Sequence, residues 1–137
     1  MLHDADCGFC TRAAALVPRL GVDVDDVAIQ DSDLAAYGID AERALREMPL
    51  VRADGTVLYG HHAWSGILLT GPGPMRLLGR LLVAPGVDRV AARVYRWVSD
   101  NRERMPGGTP ACSLDARAAG PSLDPSAGPA SPQGTRR

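Results

Sequence analysis

The chain has 137 residues, room for one domain with a proper core and little more. Fifteen arginines stand against sixteen acidic residues with no lysine, a balance that argues against nucleic-acid binding driven by phosphate neutralisation. The longest apolar stretch, Ile67 to Ala84, is broken by Gly71-Pro72-Gly73-Pro74, Arg76 and Arg80, so nothing reaches the roughly 18 residues that span a bilayer.

Asp4 and Asp6 come too early for a leader peptide, and three cysteines, two in one tight motif, do not read as a secreted disulfide framework. A soluble, cytoplasmic protein is expected. Met1 to His3 is apolar enough to begin a short strand. Gly8 to Leu20 carries Phe9, Ala13, Leu16, Val17 and Leu20 at helical spacing, with Gly21 as its stop. Pro18 removes a backbone donor and should loosen the last turn. Val27-Ala28-Ile29 reads as the second strand, and Asp31 to Arg46 as one or two short helical pieces capped near Ser32 and Asp40. Leu50 to Ala53 and Thr56 to Tyr59 flank Asp54-Gly55, a strong hairpin signal.

Beyond Gly60 the pattern turns helical. Ala63, Trp64, Ile67 and Leu68 mark one helix, and Met75, Leu78, Leu81 and Leu82 a second. A third carries Val87, Val90, Ala91, Val94, Trp97 and Val98, with Arg89, Arg93 and Arg96 on its other faces. Trp64, Tyr95 and Trp97 read as core aromatics. Leu77 to Val83 either packs on the sheet or offers an apolar surface to a partner. Pro106-Gly107-Gly108 ends the third helix, and from about Ala116 the composition collapses to Ala, Gly, Pro, Ser and Arg. The expected organisation is a folded domain over 1–115 and a disordered tail over 116–137. Strand–helix–strand implies a right-handed crossover and a parallel pair, to which the hairpin adds an antiparallel one. The expected class is α/β, a small mixed sheet flanked by helices, with additional helices towards the C-terminus.

Chemistry concentrates in Asp4-Ala5-Asp6-Cys7-Gly8-Phe9-Cys10, where the first strand hands over to the first helix. Two thiols three positions apart share a helix face with a rise of about 4.5 Å, close enough to join in a disulfide. The partial positive charge at a helix start favours a thiolate. Cys7, at the exposed end, is the expected nucleophile, and Cys10, one turn inward, the resolving thiol. Asp6 reads as a helix cap. Asp4 reads as either a structural carboxylate or a proton acceptor during resolution. His61 and His62 read as surface residues at a helix start, and Cys112, in a Pro/Gly-rich segment, as a free thiol; a third redox partner that closes back on Cys7 or Cys10 is the lesser alternative for Cys112. A rival reading assembles the cysteines and histidines into a zinc site or a non-catalytic interaction module.

The Asp4-x-x-Cys7-x-x-Cys10 motif, with Asp54-Gly55, Gly60, Ala63 and the run Val94-Tyr95-Arg96-Trp97-Val98-Ser99-Asp100-Asn101-Arg102, resembles the DCC family of thiol-disulfide oxidoreductases over about residues 1 to 115. The resemblance implies a thioredoxin-like fold and protein-disulfide reductase chemistry through Cys7 and Cys10. It implies no bound cofactor, with a disulfide-containing protein or small thiol as substrate and a cellular thiol system as electron donor. It also implies a cis peptide bond at Pro49, which with Met48 and Asp6 would shape the substrate groove. Three features depart from the family: a short first strand, which would fit a clipped or misassigned start; Ala5 in place of Gly; and His61-His62 after Gly60.

Overall fold

The computed structural model describes residues 1–113. Strand β1 (Leu2–His3) leads into helix α1 (Gly8–Leu16), and the chain returns to β2 (Val27–Ala28), which pairs with β1 in parallel, Leu2 opposite Val27. Past Leu16, α1 tightens into a 3-10 turn, Val17–Leu20, where Pro18 cannot supply an α-helical N–H. Gly21 then ends the segment in the left-handed conformation. Short 3-10 turns and helix α2 (Ala41–Arg46) follow; the Asp40 carboxylate caps α2 by accepting the Arg43 N–H at 2.8 Å. Ser32 closes a 3-10 turn at Ile29–Asp31 through its backbone N–H, and its neighbour Asp33 supplies the capping carboxylate, accepting the Ala36 N–H at 3.1 Å at the 3-10 turn Ala35–Tyr37.

Strands β3 (Pro49–Val51) and β4 (Val57–Tyr59) form the predicted hairpin, with Asp54 accepting the Thr56 N–H and Gly55 at positive φ. The four strands do not merge into one mixed sheet. β1 packs beside β3, yet the two pairs form separate two-stranded ladders. Strands of two and three residues offer too few backbone groups to extend a ladder sideways. The class is α/β, with a helical excess.

Helices α3 (Gly60–Leu69), α4 (Gly73–Leu82) and α5 (Val87–Asp100) complete the described chain. One core cluster joins Met1, Ala14, Val17, Leu50, Ala63 and Ile67, placing α1 and α3 against the strands; a second joins Leu2, Ile29, Ile39 and Ala44. Helix α4 crosses α3 at Gly79, where a Cβ would stand 2.9 Å from the Ser65 carbonyl oxygen. The third predicted helix has the expected bounds but not the expected burial. Trp97 is 61% exposed, and Val90 and Val94 lie open too, because α5 rests on α3 and α4 with only part of its apolar stripe. Leu77, Leu78 and Leu81 of α4 are likewise exposed. The tail expected over 116–137 lies outside the described residues.

Candidate active site

The turn Asp4–Cys7 is built from side chains reaching back to the backbone. Asp4, 4% exposed, accepts the Asp6 N–H at 3.2 Å and the Gln30 amide at 3.0 Å. The same Gln30 amide donates to Asp6 at 3.1 Å, so one side chain beyond β2 holds both carboxylates. Asp6 is therefore not the helix cap. Cys7 occupies the N-cap position itself, without a capping side chain, and Asp6 points to Gln30 instead.

Cys7 is fully buried and joined in a disulfide to Cys112, 105 residues away, with Cα atoms 4.4 Å apart. Both expectations for these residues are corrected: Cys7 is not at an exposed end, and Cys112 is not a free thiol. The 3-10 turn Pro110–Cys112 carries Cys112 to the start of α1, and two residues make the approach possible. Gly8 lacks the Cβ that would stand 2.5 Å from the Gly107 carbonyl oxygen. Thr109 accepts the Gly8 N–H through its hydroxyl at 3.3 Å and donates its own N–H to the Cys112 sulfur.

Cys10, half-buried, keeps its thiol and faces a groove of about 370 Å³. Phe9, Met48, Trp64, Val94 and Tyr95 make much of the wall apolar. Arg102, 8% exposed, spreads its guanidinium over three acceptors: the Ser99 carbonyl at 2.8 Å, the Leu45 carbonyl at 2.9 Å and the Cys10 sulfur at 3.5 Å. A buried guanidinium beside sulfur favours negative charge there. The Cys7 sulfur, the Cys10 sulfur and an Asp4 carboxylate oxygen all lie within 4.8 Å of one another.

Met48 lines the groove, and its N–H donates to the Tyr95 hydroxyl at 2.9 Å. Burial raises the Tyr95 phenol above its ordinary value near 10, partly opposed by that N–H. Pro49 is buried behind the wall, and its peptide bond is trans, not the cis bond expected. Here it opens β3 opposite Tyr59, with Met48 fixed on both sides: its carbonyl accepts from Gly60. Asp6 lies outside the groove lining.

His61 and His62 both donate from Nε2 to one Asp88 oxygen at 2.8 Å, which holds that carboxyl below its ordinary range. Among the described residues, potential ligand groups gather in two separate sets, Asp4/Cys7/Cys10 and His61/His62/Asp88, and none joins the histidines to the cysteines. With Cys7 and Cys112 bonded to each other, neither offers a thiolate to zinc in this state. Arg102, Gln30 and Thr109 had no site role in the sequence reading. Only Arg102 left a signal, as the last residue of the run that carried the family resemblance.

The family model for DCC1-like thiol-disulfide oxidoreductases matches residues 1–108. The chain belongs to the DCC1-like thiol-disulfide oxidoreductase family. No curated protein and no solved structure is significantly similar to it. In this DCC1-like chain the matched segment takes in Cys7, Cys10, Met48, Tyr95 and Arg102, and it stops short of Cys112.

Proposed function

We propose that this DCC1-like protein is a disulfide reductase working through Cys7 and Cys10, with Cys10 as the attacking thiol. The observation that carries the reading is the Cys10 sulfur at the groove wall, under the Arg102 guanidinium, with the Cys7 sulfur within 4.8 Å. The order is the reverse of that expected from the motif alone, because Cys7 is sealed from solvent and Cys10 is not.

In the dithiol form, the Cys10 thiolate attacks one sulfur of the substrate disulfide, forming a mixed disulfide and expelling the first substrate thiol. Cys7 then attacks the Cys10 sulfur, forming the Cys7–Cys10 bond and expelling the second thiol. The protein dithiol supplies the two electrons, and an external dithiol donor restores it. Asp4, buried beside both sulfurs, takes the proton from the resolving Cys7 thiol. The β1–α1–β2 unit with the cysteines at the head of its helix supports a thioredoxin-like reading of the scaffold, and the chemistry fits a cytoplasmic thiol pool.

Reduction of insulin in the presence of dithiothreitol tests the proposal. Wild-type protein should accelerate precipitation of the insulin B chain, and Cys10→Ser or Cys7→Ser should return it to the rate of dithiothreitol alone. A wild-type rate equal to that background, with the protein folded, would overturn the reading.

A further inference from the structure

We propose that Cys112 is a third redox cysteine, which takes Cys7 from Cys10 and so returns Cys10 to the thiol state while the protein remains oxidised. The proposal rests on the reductase reading and extends it beyond the family motif, since Cys112 lies outside the matched residues. Three observations carry it. Cys7 is bonded to Cys112, although Cys10 sits in the same helix turn with its sulfur within 4.8 Å of the Cys7 sulfur. The segment that brings Cys112 in is fitted to the site, through Thr109 on Gly8 and the missing Cβ of Gly8 against Gly107. The thiol left by this pairing is Cys10, the one that faces the groove and Arg102.

The exchange is internal and redox-neutral. After substrate reduction the protein holds a Cys7–Cys10 bond. The Cys112 thiolate attacks the Cys7 sulfur, forming Cys7–Cys112 and breaking Cys7–Cys10. Cys10 leaves as a thiolate, stabilised by the Arg102 guanidinium. In the reverse step Cys10 attacks Cys7, and Cys112 leaves and takes up a proton. The oxidised protein is thus two interconverting disulfide isomers, and the Cys7–Cys112 isomer presents a nucleophile to the groove that the Cys7–Cys10 isomer lacks.

Disulfide mapping of the intact chain tests this directly. Trypsin cuts after Arg12, Arg104 and Arg117, placing Cys7 and Cys10 in one peptide and Cys112 in another. Wild-type protein is oxidised with glutathione disulfide, quenched in acid, labelled with N-ethylmaleimide under denaturing conditions and digested. The expected result is two populations within about tenfold of each other: cross-linked peptides with Cys10 labelled, and an internal Cys7–Cys10 bond with Cys112 labelled. Gly8→Ala should shift the ratio towards the internal bond, and oxidised Cys112→Ser should carry only that bond. Finding only the cross-linked form in wild type, an inert staple, overturns the proposal, as does finding only the internal bond with Cys112 always labelled. Cys112→Ser that never forms Cys7–Cys10 overturns it too. Failure of the insulin assay is a separate event: the isomers can exchange in a protein that reduces nothing, and a two-cysteine reductase can turn over with Cys112 idle.

Discussion

The Asp4–Cys10 turn and the α4–α5 pair show opposite relations between sequence and environment. In the turn, Asp4, Cys7 and Cys10 are buried or half-buried, and the polar contacts are specific: Gln30 on two carboxylates, Arg102 on three acceptors, Thr109 on the helix start. In α4 and α5, regular apolar spacing makes sound helices, yet Leu77, Val90 and Trp97 stand mostly in solvent. Periodicity fixes which face of a helix is apolar. Whether another element covers that face depends on long-range packing.

Removing the groove thiol should have the largest effect: Cys10→Ser should lower disulfide reduction by about a thousandfold or more, measured as steady-state rate. In the shared core, Ile67→Ala should cost about 2–5 kcal/mol, read by urea denaturation, because Ile67 is fully buried between α3 and the strands. Arg102→Lys keeps the charge but not the three-way fork. It should slow alkylation of Cys10 at neutral pH by about three- to tenfold, read by peptide mass spectrometry. A value equal to wild type would remove Arg102 from the account of the thiolate.

Tyr95 gives the pH dependence. Its phenol is held protonated by burial in the folded state, so the unfolded chain loses that proton first as pH rises. Stability should be constant from this source below the unfolded value near 10 and fall as pH climbs from there through the higher folded value. Tyr95→Phe should lose about 1 kcal/mol at neutral pH, where the Met48 N–H loses its acceptor, and lose this part of the alkaline decline. Thermal melts across that window, wild type against variant, check both. The smallest effect belongs to the open face: Leu77→Ser or Trp97→Ser should change stability by no more than about 0.5 kcal/mol. A cost comparable to that of Ile67→Ala would show the face to be covered.

Local signals carried most of the fold. Gly21 stops the first helix, Asp40 caps α2, and Asp54-Gly55 turns the hairpin, because each acts within three or four residues of itself. The motif Cys7-x-x-Cys10 likewise marked the site. Its wiring was legible only as the lesser alternative for Cys112: the choice of Cys112 over Cys10 as the partner of Cys7 depends on a contact 105 residues distant, and on a glycine that leaves room for it. Asp6 looked like a cap by position alone, yet Gln30, across the parallel pair, claims its carboxylate. Pro49 took its cis expectation from the family resemblance; its bond is trans, beside a Met48 whose N–H and carbonyl are bonded to Tyr95 and Gly60.

Competitive alkylation of the dithiothreitol-reduced protein tests the central assignment most directly. A brief pulse of iodoacetamide, with the labelled position read by fragmentation of the Met1–Arg12 peptide, should mark Cys10 well before Cys7. Labelling of Cys7 first, with Cys10 protected, would contradict the account.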